Sequence, residues 1–352
     1  MIRFQSLLRT WAAAWIFVTL LLLGCSKQSS KPKEYAYVSA QDAFLRDQVA
    51  TVYKKVGNVR NGDRVEVLEK YRRFVRVRND ANEIGWIEQR YLAGAEVYDQ
   101  FQKLAAEHAE DRVQAPGTTR FATNLHVTPE REAEHLYQLK VGSKLELLAR
   151  ATSEKAVAQT AQPKPVVAKT KEAAPPKNME DWWLVRVATS SANGNPPRIG
   201  WVLARMVDVD VPVEIGQYAE GQRIVAFFVL NQVDDQEKKV PQYLVALNEA
   251  HDGAPFDFNQ VRVFTWNVKR HRYETAYRER KISGVLPIRV GQQDFDKEGK
   301  LPIFMLRMKD DSGNVDVRTY KLNGVMVRRV LPPGQEKPAP GAAPSARKRR
   351  RQ

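Results

Sequence analysis

The side chains best suited to chemistry are few and scattered. One cysteine, Cys25, and five histidines, His108, His126, His135, His251 and His271, are spread over 352 residues. A cysteine hydrolase needs a thiolate beside an imidazole base, and a zinc site needs clustered thiolates or imidazoles. Neither His-x-x-x-His nor His-Glu-x-x-His occurs, and there is no second cysteine. His126 and His135 stand nine positions apart across an expected turn. His271 is flanked by Arg270 and Arg272, whose charge disfavours an imidazolium and marks a hairpin surface. Serine-hydrolase elbows, phosphate loops and dinucleotide fingerprints are absent from the sequence. The acidic pairs Asp234-Asp235 and Asp310-Asp311 sit in turn-forming sequence. The expectation is a non-enzyme with no cofactor and no metal; the catalytic option left is a hydrolase in residues 213–332 with two separated carboxylates in a cleft.

The neighbours of Cys25 suggest another role for its thiol. Arg3 and Arg9 precede an apolar run from Trp11 to Leu23 that ends on Gly24. A basic start, an apolar run short for a membrane span and a small residue at its end describe an export signal, so residues 1–24 are expected to be a signal peptide. The stretch "LLGCS" resembles the lipobox of bacterial lipoproteins, in which the cysteine is acylated and becomes the N-terminus. That resemblance implies lipidation of Cys25 by palmitate-type chains and a membrane partner through the lipid. With Ser26 after the cysteine rather than Asp, it also implies an outer-membrane position facing the periplasm. Acylation leaves no thiol for catalysis. Residues 25–37 open on Ser, Lys and Gln and are expected to be a flexible tether. An exported chain without paired cysteines must rely on hydrophobic cores, and an apolar content of 43% suffices for them.

Short β-type runs at 43–45, 51–56, 64–68, 74–78 and 85–87 predict a small barrel over 38–95. The pattern then recurs, a strong architectural signal. "VRNGDRVEVLEK" at 59–70 matches "LKVGSKLELLAR" at 139–150, "RFVRVR" at 73–78 matches "WWLVRV" at 182–187, and "EIGWIEQRYL" at 83–92 matches "RIGWVLARMV" at 198–207. Gly-x-x-Val-x-Val-Leu, an aromatic followed by Val, and Gly-Trp-Ile/Val with a closing Tyr-Leu resemble bacterial SH3-like domains. The second copy spans 119–210 and departs further, through an Ala/Pro/Lys-rich insertion at 153–180 expected to be disordered. Between the copies, residues 96–118 form a connector in which Val97, Phe101, Leu104 and Ala105 recur at helical spacing.

By resemblance, such barrels bind wall peptides or other envelope ligands in a shallow groove where aromatic rings give contact area at little entropic cost. The ligand-binding candidates are Tyr53, Tyr71, Phe74 and Tyr91 in the first copy and Tyr137, Trp182 and Trp183 in the second. Strand alternation puts Trp182 and Trp183 on opposite faces, so one is expected to be buried and the other exposed. Trp86 and Trp201, in the Gly-Trp strands, are expected to be mainly structural.

Residues 213–332 contain eight strand-like runs and a strong Asn323-Gly324 hairpin signal. They predict an antiparallel β-sandwich or barrel, making the whole chain mainly β: two small SH3-like barrels, one short connecting helix and this third unit. Residues 333–352 end in a basic block, Arg347 to Arg351, and are expected to be a disordered tail for anionic surfaces. The formal charge of +15 suits peptidoglycan, acidic envelope proteins or lipid headgroups, and export argues against nucleic acid. Two function classes therefore stand beside the hydrolase option: a wall-binding module and a protein scaffold or assembly factor.

Overall fold

The computed structural model describes residues 32–155, 178–188, 197–249, 251–296 and 298–331. Cys25, the 1–24 segment, the greater part of the insertion and the 333–352 tail lie outside the described residues.

Alternating apolar positions build the first sheet from β1 (Glu34–Val38), β2 (Asp42–Arg46), β3 (Lys55–Arg60), β4 (Arg64–Tyr71), β5 (Phe74–Arg78), β6 (Ile84–Glu88) and β7 (Leu92–Gly94), with a 3₁₀ turn at Gln89–Tyr91. Its order is β3-β2-β6-β5-β4-β1-β7 and every ladder is antiparallel. Val38, Leu45, Val65, Val77 and Ile87 point inward and form its own core. After α1 (Ala95–Glu107), the second sheet follows: β8 (Ala115–Thr119), β9 (Thr123–His126), β10 (His135–Leu139), β11 (Lys144–Glu154), β12 (Met179–Val187), β13 (Ile199–Leu203) and β14 (Val207–Val209). Its order, β10-β9-β13-β12-β11-β8-β14, repeats that of the first strand for strand, down to a 3₁₀ turn at Ala204–Met206.

The repeated Gly-Trp pair has a steric cause. A Cβ on Gly85 would lie 2.7 Å from Leu45 Cβ and 2.8 Å from the Arg46 carbonyl oxygen, and one on Gly200 would lie 3.0 Å from Leu125 Cβ. In both sheets the sixth strand approaches the second too closely for any side chain at that position.

A short helix, α2 (Val213–Gly216), leads into the third sheet: β15 (Arg223–Asp235), β16 (Lys238–Asn248), β17 (Phe258–Asn267), β18 (Arg272–Phe295), β19 (Gly299–Lys309), β20 (Val315–Asn323) and β21 (Met326–Val330). They pair in chain order as an antiparallel meander. The long β18 pairs with β17 up to Gly284 and with β19 from Gly284 onward. A Cβ on Gly284 would fall 2.1 Å from the Phe258 ring, so glycine lets the strand pass over that ring as it changes partner. One apolar core runs from Val97 and Phe101 of α1 through Leu125, Leu147 and Trp183 of the second sheet to Val261, Phe304 and Leu322 of the third. The second and third sheets are thereby a single packed body, whereas the first has a core of its own and adds only Ala93 of β7 to the buried residues of the shared one.

Several expected boundaries move. The tether expected at 25–37 is shorter, because Glu34–Val38 is a strand that buries Ala36 and Val38 while pairing with both β4 and β7. The first sheet accordingly spans 34–94 rather than 38–95. The 51–56 run is displaced: the strand is Lys55–Arg60. Residues 115–118 of the expected connector belong to β8, held by its ladder to β11. At the insertion, Ser153 pairs with Glu180 and Glu154 with Met179, so its rims extend the β11–β12 hairpin. In the third unit the 272–277 and 284–290 runs fuse into β18, giving seven strands where eight were expected. Mainly β architecture with one connecting helix stands as expected, in three antiparallel sheets.

Candidate functional site

The outward face of the first sheet gathers rings and charges. Leu45 and Ile87 are buried in the core, so alternation sends Phe44 and Arg46 of β2 and Trp86 and Glu88 of β6 to the opposite side. The Arg46 guanidinium lies 4.2 Å from the centre of the Tyr53 ring, 5.3 Å from Phe74 and 5.6 Å from Phe44. Its Nη2 donates to Glu88 Oε1 at 3.3 Å. Lys55 sits 4.4 Å from the Phe44 ring, and Phe44 stacks near Tyr53 at 5.8 Å. Along the same face Tyr71, 47% exposed, meets Trp86 edge to face at 6.3 Å. Arg90 Nε pairs with Glu88 at 2.9 Å. Arg73 lies 5.5 Å from the Phe74 ring, which is 5% exposed between it and Arg46.

Each cation–ring contact contributes roughly 0.5–1 kcal/mol at an exposed site. Together they hold Arg46 in one place while leaving Tyr71 and the half-buried Trp86 open at the edge. A surface of this composition can stack on flat or apolar groups and attract carboxylates. Sequence patterns single out Tyr53, Tyr71 and Phe74 here, but not Arg46 or Glu88. A charge alternating with apolar residues on a strand resembles an ordinary solvated face, and only the pairing of β2 with β6 reveals their proximity.

The other candidates go elsewhere. Tyr91 packs against the core of the first sheet, with Arg90 4.9 Å from its ring. Tyr137 is buried between sheets, 5.2 Å from Phe101 and 4.7 Å from the Arg198 guanidinium, and burial pushes its phenol pKa up. Trp182 and Trp183 do face opposite sides, yet they are 0% and 3% exposed, so the expected exposed ring does not exist. Trp182 meets His126 edge to face and donates Nε1–H to Ser153 Oγ at 2.8 Å; Trp183 enters the core shared with the third sheet. Trp86 and Trp201, expected to be mainly structural, are half-buried: both point away from the cores that Ile87 and Val202 enter, and Trp201 packs instead against the cluster of Ala105, Leu148, Leu184 and Ile199.

The histidines contain one pair. His126 and His135 are opposite each other across β9 and β10, with ring centres 5.7 Å apart. Burial lowers the His126 pKa, a contact with the Ala133 carbonyl opposes this, and His135 adds to the lowering. No group of three or more His, Cys, Asp or Glu suited to a metal occurs among the described residues. His271 lies in a turn and contacts Asp235 at 2.7 Å, while Trp266 Nε1–H donates to the same carboxylate oxygen at 2.7 Å. Asp235 looked like a turn residue in the sequence; the hydrogen bonds from Trp266, then His271, keep its pKa low.

Second and third sheets are joined by a buried ion network. Arg150 donates to both Asp181 oxygens, at 2.6 and 3.1 Å, and to the Phe256 carbonyl at 2.9 Å. Asp181 also accepts from the Gly253 N–H at 2.8 Å and pairs with Arg223 at 3.4 Å. First and second sheets meet at the Asn61-Gly62 turn. Asn61 donates to the Ser39 and Leu136 carbonyls and accepts from the Gln138 N–H at 3.0 Å, while Tyr37 stacks on Tyr98 of α1 at 4.0 Å.

Comparison with known proteins finds a bacterial SH3 domain at residues 42–93, the segment that carries this face. No curated protein matches the chain. Among solved structures, an NlpC/P60 family protein from Bacillus cereus matches at 11% identity over 68% of this chain and 93% of that one, with a TM-score of 0.23. NlpC2 from Trichomonas vaginalis matches at 9% identity over 86% and 97%, with a TM-score of 0.17. NlpC1 from the same organism matches at 7% identity over 71% and 90%, with a TM-score of 0.16. TM-scores this low carry neither architecture nor activity to this chain. Among the described residues, no helix is long and apolar enough to cross a membrane.

Proposed function

We propose that the chain is a non-catalytic, lipid-anchored protein of the bacterial cell envelope whose first two sheets are tandem SH3-like modules. In this reading Cys25 carries the lipid and holds the protein at the outer membrane, facing the periplasm. The outward face of the first sheet receives carboxylate-bearing wall peptides. The observation that carries the reading is the Arg46-centred set of rings within a segment that matches the bacterial SH3 domain. Stem peptides present carboxylates and small apolar side chains, which suit cations interleaved with aromatic rings. The strand-for-strand repeat supports the tandem assignment, and the second module, whose Trp182 and Trp183 are buried, serves as a spacer rather than a second receptor.

The test is a pull-down on purified sacculi with the chain lacking residues 1–25. Retention is expected at low salt, falling as salt rises and at least severalfold weaker in Arg46→Ala and Trp86→Ala. No retention of the unsubstituted chain at low salt would sink wall binding. For the anchor, Cys25→Ser should leave the membrane fraction or stay unprocessed, and unchanged fractionation with normal processing would remove the lipid assignment.

A scaffold for another envelope protein is the second reading. The core shared by the second and third sheets favours it, since that makes a rigid platform beyond the ligand-binding module. A single crosslinked protein partner that survives wall digestion would select this reading over wall binding.

A further inference from the structure

The third sheet carries a second concentration of unbalanced charge, remote from the aromatic face. A hollow of about 350 Å³ lies between the turn before β15 and the middle of β18, lined by Glu220, Asn259, Gln260, Arg262, Arg280 and Lys281 among others. Its cause is a break in the β17–β18 ladder. Phe258 pairs with Gly284 but Gln260 pairs with Arg280, so β18 holds two more residues than its partner between these points. Bulges of this kind re-aim side chains and end local pairing.

Lys281 lies in that bulge with φ of +56°. Of the non-glycine residues in the left-handed region among the described residues, Arg72, Asn82, Glu220, Gln236 and His271 all sit between strands; only Lys281 sits within one. Such a conformation has a backbone cost that glycine would avoid. Glu220, a second left-handed residue, lines the same hollow.

The polar groups there are poorly balanced. Arg262 is 1% exposed, donating from Nη1 to the Tyr218 carbonyl and from Nη2 to Glu220, each at 2.7 Å, while its Nε has no partner. Asn259 Oδ1 is likewise buried and unpartnered. Glu220 also faces Arg278 at 3.3 Å. Arg280 donates Nε–H to Gln260 at 2.9 Å, and its two terminal nitrogens have no hydrogen-bond partner among the described residues. Neither Arg280 nor Lys281 has a carboxylate partner among the described residues, and the nearby Glu249 is engaged by His251. Arg262 and Arg278 thus share the carboxylate of Glu220, while Arg280 and Lys281 line the same hollow with no carboxylate of their own among the described residues.

We propose that this hollow binds a compact oxyanion, a carboxylate or phosphate group, held by Arg280 and Lys281 above the Arg262–Glu220 pair. The planar guanidinium of Arg280 offers a fork for two oxygens, and Lys281 supplies a point charge beside it. The site is independent of wall binding by the first sheet, so either assignment can fail alone.

Titration calorimetry on the full chain, with inorganic phosphate and separately with N-acetyl-alanine at low ionic strength, tests the proposal. Binding of at least one probe is expected, and Arg280→Gln and Lys281→Gly should each weaken it by about tenfold. Binding of phosphate alone identifies a phosphate-type ligand, of N-acetyl-alanine alone a carboxylate, and of both a general oxyanion site. Lys281→Gly should keep or raise the melting temperature, since glycine adopts this backbone without strain, which separates lost binding from lost folding. No binding of either probe, or binding unchanged in both variants, overturns the proposal.

Discussion

Asp181 shows how much can depend on one carboxylate. Arg150 and Asp181 are almost fully buried, and Arg223 adds a second charge to the same oxygen pair. Removing one member of a buried pair costs about 3–5 kcal/mol when nothing else compensates the other, but Arg150 keeps Asp257 at 3.2 Å, which reduces the cost to about 1–3 kcal/mol. Asp181→Ala is expected to lower unfolding stability by that amount in urea titrations followed by tryptophan fluorescence; a loss under about 1 kcal/mol would show that the network is dispensable. His126 makes a pH-dependent contribution of known sign. Burial disfavours its imidazolium, so its folded pKa lies below the unfolded value of about 6.5. Its stabilising contribution is present above that unfolded value and is lost as pH falls through the lowered folded one. The stability of His126→Gln should therefore vary less between pH 7 and 5 than that of the unsubstituted chain. Equal slopes in parallel denaturation series would refute the assignment.

At the scale of elements, the Asn61-Gly62 turn is both a connection within one sheet and a joint between two. It carries the chain from β3, at one end of the sheet order, to β4, with which β3 does not pair, and the Asn61 side chain ties the first sheet to the edge strand β10. Asn61→Ala strips the partner from the Gln138 amide. That amide should exchange with deuterium about tenfold faster, equivalent to roughly 1.4 kcal/mol, and unchanged exchange would mean that the sheets are held by α1 alone. Periodic strands and repeated phrases were legible in the sequence because each has a local cause: alternation for β4, β5 and β6, steric approach for Gly85 and Gly200. What escaped depended on partners distant in the chain. Residues 34–38 follow a polar leader with no turn signal to set them off, and become a strand by insertion between β4 and β7. Gly284 and Pro287 look like breakers, yet β18 runs through both while exchanging one neighbour for another. Trp182 and Trp183 obey alternation, but their burial depends on what lies over each face of β12. The candidate site was half visible for the same reason: rings attract notice as residue types, whereas Arg46 and Glu88 acquire meaning only through the β2–β6 contact.

Viewed whole, the molecule has three sheets, and its largest apolar core spans the second and third of them. The first sheet packs around Leu45, Val65, Val77 and Ile87, and the second and third share one continuous interior reinforced by the Arg150–Asp181 network. This partition sets how the chain transmits force. Tension entering at the N-terminal side reaches β1 first, and β1, paired on both sides next to the sheet's edge, belongs to the sheet that has a core of its own. Stretched between its ends in an optical trap, the protein should yield in two steps: a first release of about 200 Å, the extended length of β1 to β7 at about 3.4 Å per residue, then one larger release from the remaining sheets together. Three separate releases would contradict the shared interior. The first sheet is thus a mechanical fuse, able to open under load while the platform behind it keeps its shape.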